Sequence, residues 1–166
     1  EGHEAFVRLM LRYQPDLPKR VQFPGWLVGA KTRELNELLF QHGLDPSRPD
    51  WLRGTPLHQL ARKGEVEKAE IFIDHGADLH ARDEDICSTP LAWAAKFGRL
   101  EMVELLLRRG AKLSLPDDPP WATPLAWATR RGHQRVMELL KHYEQAGVLP
   151  DRSDVTSTES GEGAER

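Results

Sequence analysis

"TPLAWAAKFG" occupies residues 89–98, "TPLAWATRRG" occupies 123–132 and "TPLHQLARKG" occupies 55–64, so one ten-residue phrase recurs twice at a spacing of 34. A single closed core does not require such a period, whereas a stack of similar units does. Thr55, Thr89 and Thr123 are suited to cap helices, because a hydroxyl there accepts a hydrogen bond from an otherwise orphan backbone N–H. Pro56, Pro90 and Pro124 follow at the first helical position, where the absent N–H costs nothing. Leu57, Leu91 and Leu125 open a buried stripe, and Gly64, Gly98 and Gly132 stop each helix about two turns later.

The segments after each phrase repeat as well. "RLEMVELLLRRGA" (99–111) sets Leu100, Val103, Leu106 and Leu107 at helical spacing before Gly110. "EVEKAEIFIDHGA" (65–77) does the same with Val66, Ala69, Phe72, Ile73 and Gly76, and "HQRVMELLKHYE" (133–144) with Val136, Met137, Leu139 and Leu140. The predicted helices are 55–63 and 65–75, 89–97 and 99–109, and 123–131 and 133–143. Each unit is a helix, a tight turn, a second helix and a polar link to the next Thr-Pro.

These residues resemble the ankyrin repeat. Its Thr-Pro-Leu-His-x-Ala signature is met in part at Thr55-Pro56-Leu57-His58, with Leu60 in the alanine place, while the later copies have Ala92 and Ala126 in the histidine place. "HGADLHARD" (75–83) and "RGAKLSLPD" (109–117) are similar to the segment that leads into the family's β-hairpin finger. The period of 34 is one above the family's usual value, which implies an extra residue in each finger, near Asp83-Glu84-Asp85 and Asp117-Asp118. The resemblance implies an all-α solenoid of stacked helix-turn-helix units with short β-hairpin fingers. Its expected divisions are the second helix of a truncated repeat (1–16), a degenerate repeat (17–49), repeats at 50–84, 85–118 and 119–144, and a disordered acidic tail (145–166). The first of these is expected to be a helix that exposes Phe6, Val7 or Met10 where an upstream repeat would pack, as in a piece of a longer repeat protein. "KTRELNELLFQHGLDP" (31–46) continues the pattern upstream as a second helix, with Leu35, Leu38, Leu39 and Phe40 buried.

Charge divides unevenly along the chain. Residues 145–166 hold five acids and two bases, leaving 21 of each sign in residues 1–144. A neutral domain of this kind lacks the basic excess of a dedicated nucleic-acid binder. The tail is rich in Ser, Thr, Gly and Glu, a composition too polar to bury a core of its own. A single cysteine, Cys87, excludes an internal disulfide and any multi-cysteine zinc site. No apolar run reaches the length of a membrane span, and a cytoplasmic setting is expected.

Candidate chemistry is sparse. His75 and His80 lie near Asp74, Asp78 and Asp83, but as residues of a helix end and a finger they read as turn residues rather than ligands converging on a metal. Cys87 and Ser88 have no histidine beside them in sequence, and no glycine-rich phosphate loop is present. Neither a catalytic constellation nor a cofactor is expected. The resemblance assigns His58 to hydrogen bonds that tie neighbouring repeats, and it places Trp93 and Trp127 in a slot facing the next repeat's helices, either as apolar filler or as anchors reaching a groove.

The same resemblance places Arg62 and Lys63, Lys96 and Phe97, and Arg130 and Arg131 at first-helix ends that project into a concave groove. The expected rim is acidic, at Asp83, Glu84, Asp85, Asp117 and Asp118. Cations also suit a helix C-terminus for its dipole alone. The expected function is non-catalytic binding of a protein partner that presents an acidic segment, by a monomer, with Trp51, Asp85 and Trp121 as further candidate contacts on the fingers. The alternatives are anion or nucleic-acid binding through the basic ladder, and a structural spacer within a larger protein.

Overall fold

The computed structural model describes residues 2–20 and 32–147, which form nine helical segments. They are α1 (Gly2–Tyr13), α2 (Leu17–Arg20), α3 (Arg33–Gln41), α4 (Pro56–Lys63), α5 (Val66–Asp74), α6 (Pro90–Lys96), α7 (Leu100–Arg108), α8 (Pro124–Arg131) and α9 (Gln134–Ala146). Helix starts fall one residue after each expected threonine because that residue is the cap. Thr89 Oγ1 accepts from the Ala92 N–H at 3.4 Å and Thr123 Oγ1 from the Ala126 N–H at 3.3 Å. Thr32 plays the same part for α3 with the Leu35 N–H at 3.3 Å.

Two rows of helices result. In one, α4 packs on α6 and α6 on α8; in the other, α3, α5, α7 and α9 follow one another. Each first helix also pairs with its own second helix, α4 with α5, α6 with α7 and α8 with α9. The core lies between the rows as one continuous cluster, from Val7 and Leu11 through Leu39, Leu57, Phe72, Leu91, Met102 and Leu106 to Leu140. Small residues permit this close stacking: Ala61, Ala92, Ala94, Ala95 and Ala128 are fully buried on the first-helix row.

Several expectations are corrected. Among the described residues there is no strand, so the inter-repeat links are not β-hairpins of paired strands. They are turns whose backbone is held by side-chain carboxylates and by single bonds such as Asp83 N–H to the Ser88 carbonyl at 3.3 Å. The unexpected α2, only four residues long, follows α1. On α1, Phe6 is 60 % exposed as expected, whereas Val7 is buried with Leu11 one turn on, so the exposed apolar side is Phe6, Leu9 and Tyr13. α9 runs to Ala146, three residues past the expected end. The degenerate stretch "VQFPGWLVGA" (21–30) lies outside the described residues.

Candidate functional site

The ends of α4, α6 and α8 carry the expected ladder. Arg62, Lys63, Phe97, Arg130 and Arg131 are all exposed, while Lys96 is half-buried. Lys96 Nζ lies 4.3 Å from the centre of the Trp127 ring on the next repeat, 5.6 Å from Trp93 and 5.8 Å from Phe97. The Arg130 guanidinium carbon sits 4.6 Å from the same Trp127 ring. A cation over an indole face is attracted by the ring quadrupole, by about 0.5–2 kcal/mol depending on desolvation. Two repeats thus share one aromatic surface with a cation from each.

This cluster is electrostatically tense. Partial burial lowers the Lys96 pKa most, and the positive charge of Arg131 lowers it further, with Arg130 adding to the effect. Asp85 and Asp83 act in the opposite sense without cancelling it. Elsewhere cations hold carboxylates: Arg82 meets Asp118 at 2.6 Å, Arg109 meets Asp74 at 2.5 Å, and Arg108 meets Glu104 at 3.2 Å. Among the described residues, Lys96, Arg130 and Arg131 form no ion pair. At the other end of the ladder Lys63 is 3.7 Å from Glu65.

The tryptophans are fixed from behind. Trp127 is 7 % exposed and donates its indole N–H to Ser88 Oγ at 2.9 Å. Trp93 is half-buried and donates to Asp83 Oδ1 at 3.1 Å, with its ring edge-on to His58 at 5.8 Å. The hydrogen bonds of both rings therefore reach back towards the link between α5 and α6. The indole N–H must find a partner when buried, and here Asp83 and Ser88, both on the link between α5 and α6, supply it.

The supposed acidic rim is also different. Asp83 is 3 % exposed, and besides Trp93 it accepts the backbone N–H groups of Ile86 and Ser88, both at 2.9 Å. Asp50 organises the preceding link in the same way, accepting from Leu52 and Gly54 at 2.9 Å. Asp118 is drawn in by Arg82 and accepts the Leu115 N–H at 2.6 Å. Glu84, Asp85 and Asp117 remain exposed. At the tips, Trp51 is 84 % and Trp121 53 % exposed.

His58 is the buried centre of the first of these links. Its Nδ1 accepts the Thr55 N–H at 3.0 Å, which leaves the proton on Nε2 to be donated to the Ser88 carbonyl at 3.1 Å. Burial lowers its pKa despite the raising influence of the Ser88 carbonyl, Asp83 and Asp50. His75 stacks on Phe40 at 4.0 Å and meets Glu37 at 2.8 Å, and His80 Nε2 accepts the Lys112 N–H at 3.3 Å. Among the described residues no group of three or more His, Cys, Asp or Glu side chains is placed to hold a metal ion.

Two inter-repeat clamps were not anticipated. Arg99 Nε donates to the Arg62 carbonyl at 3.0 Å, and His133 Nε2 to the Lys96 carbonyl at 3.1 Å. These donors stand 34 residues apart, each just after the glycine turn, and each satisfies a carbonyl at the end of the preceding repeat's first helix. A polar residue recurring at that register was the available signal.

Two rows of helical hairpins, capped by Thr-Pro and joined by carboxylate-pinned links, define a stacked helical-repeat protein. A family model described as ankyrin repeats (3 copies) matches residues 27–117 and 85–154. The chain belongs to the ankyrin-repeat family, whose domains generally serve protein–protein interaction and are typically non-catalytic. No curated protein matches it. No helix among the described residues is long and apolar enough to cross a membrane.

Proposed function

We propose that this chain binds a protein partner through the first-helix ends, its concave face, using Lys96, Phe97, Arg130 and Arg131, with Arg62 and Lys63 extending the surface. The observation that supports this most is the Lys96–Trp127–Arg130 arrangement with Arg131 beside it: like charges are gathered on a rigid aromatic base, and no carboxylate of the described residues neutralises them. Such a surface selects a partner segment that brings acidic groups, because charge complementarity steers encounter and excludes wrong partners. An exposed Phe97 adds an apolar contact next to the charges. The stack is already ordered, so little entropy of the binding surface opposes association. Trp51, Asp85 and Trp121 are the candidate secondary contacts at the link tips.

The test is affinity capture with the full chain, followed by the Arg62→Glu/Arg130→Glu/Arg131→Glu variant. These three residues are exposed, so the variant should keep its helical circular dichroism. Partners that use this surface should be lost from the variant, and their purified complexes should weaken at least about tenfold, roughly 1.4 kcal/mol. Undiminished binding would move the interface to the link tips. Binding of an unrelated oligonucleotide by the wild type, with steep salt dependence, would favour a nucleic-acid ligand instead.

A further inference from the structure

The cationic cluster has a candidate occupant in its own chain. We propose that the acidic segment 148–166 folds back onto Lys96, Arg130 and Arg131 and competes there with the partner's acidic segment. This rests on the reading of that surface as one that accepts anionic groups.

Charge, position and reach support it. Residues 1–144 carry equal numbers of acids and bases, so the net charge of −3 resides in the segment after them, at Asp151, Asp154, Glu159, Glu162 and Glu165 against Arg152 and Arg166. The complementary charge stands at the ends of α6 and α8, where Lys96, Arg130 and Arg131 form no ion pair among the described residues. Arg131 ends α8, and α9 begins at Gln134, only a turn later. A helix of 13 residues is about 20 Å long, so Gly147 lies roughly that far from Arg131 along α9. An extended chain advances about 3.3 Å per residue, so six or seven residues suffice for the return. Asp154, Glu159, Glu162 and Glu165 are all within reach. Tethering at this distance supplies an effective concentration on the order of millimolar, enough for a weak charge contact to be populated and still displaced by a partner. Neutralising groups here would also relieve the repulsion that Arg131 and Arg130 impose on Lys96.

The experiment compares nitrogen-15-labelled full-length chain with the full-length variant Asp151→Asn/Asp154→Asn/Glu159→Gln/Glu162→Gln/Glu165→Gln. At low salt, the Trp127 indole N–H and the amides of Phe97, Arg130 and Arg131 should differ between the two. At about 0.5 M salt, where screening shortens charge interactions to a few ångströms, the differences should collapse. A fluorescein-labelled octaglutamate peptide should bind the neutralised variant at least about threefold more tightly than the wild type, because the tethered competitor is gone. Coincident resonances of these groups at both salt concentrations would overturn the proposal. If the probe then still binds both chains, and Arg130→Glu/Arg131→Glu abolishes that binding, only the fold-back fails. If the probe binds neither chain, the reading of the surface fails with it.

Discussion

His58 shows how one side chain couples local and long-range order. Its ring closes the start of α4 through the Thr55 N–H and reaches the Ser88 carbonyl thirty residues on. Both bonds suit neutral imidazole with the proton on Nε2, and burial keeps the ring in that form by lowering its pKa from the ordinary 6.5. In the unfolded chain the ring titrates near that ordinary value. Above about 6.5 both states are neutral and the full stability is present. As pH falls below it, the unfolded state takes up a proton that the native ring resists, so stability declines until the depressed folded pKa is reached. The slope approaches about 1.4 kcal/mol per pH unit for one such group. Denaturant melts of wild type and His58→Gln between about pH 7.5 and 5.5 should show a steeper loss for the wild type. Parallel pH profiles would mean that this ring is not the group responsible.

At the scale of the element, the glycine turns separate what the sequence pattern could reveal from what it could not. Start and stop signals were legible: Thr-Pro before α4, α6 and α8, and glycine after each, predicted these helices to within a residue or two. The apolar spacing likewise exposed the buried sides of α5, α7 and α9. Apart from His58, whose tie to the neighbouring repeat the resemblance implied, the partners of side chains across repeats were not legible, because they depend on how far one hairpin is displaced from the next. Asp83 therefore read as a solvated tip although it is buried, and the cations of the ladder were visible while the ring beneath them was not. Gly98 illustrates the hidden layer. Its φ of 66° favours glycine, and a Cβ built there would also lie 2.7 Å from His133 Nδ1, inside the clamp on the Lys96 carbonyl. Gly132 has a similar φ of 71° but open space around such a Cβ. Gly132→Ala should therefore cost only the strain of the left-handed conformation, about 1–2 kcal/mol. Gly98→Ala should cost more, by about 1 kcal/mol for the displaced hydrogen bond. His133→Ala should reduce that excess in a double-mutant cycle, and equal costs for the two glycine changes would remove the clamp from the account.

Across the whole molecule, stability depends on interfaces between neighbouring units, as expected when each repeat buries its apolar side only against the next. The polar contribution to one of these interfaces converges on Ser88. Its carbonyl receives His58 from the repeat before, its backbone N–H is held by Asp83, and its hydroxyl meets the Ala122 carbonyl at 3.1 Å and the Trp127 indole at 2.9 Å in the repeat after. Three successive units thus meet at one buried serine, 1 % exposed. Ser88→Ala would keep the backbone contacts with His58 and Asp83 but leave the Ala122 carbonyl and the Trp127 N–H without this partner. The expected cost is about 1–3 kcal/mol, the penalty for stranding buried polar groups. It should fall unevenly, because the contact to α4 survives while the contact to the α8–α9 hairpin is cut. Native-state hydrogen exchange tests this directly, since local opening reports each unit's own free energy. In the variant, amides of α8 and α9 should exchange about five- to a hundredfold faster while α4 and α5 change little, a ratio set by that energy. The same loosening should free the Trp127 ring beneath Lys96 and Arg130, so partner binding should weaken although no residue of the charged surface has been altered. Uniform acceleration through all repeats would instead show that the stack unfolds as a single cooperative unit, with Ser88 contributing to the whole rather than to its C-terminal interface.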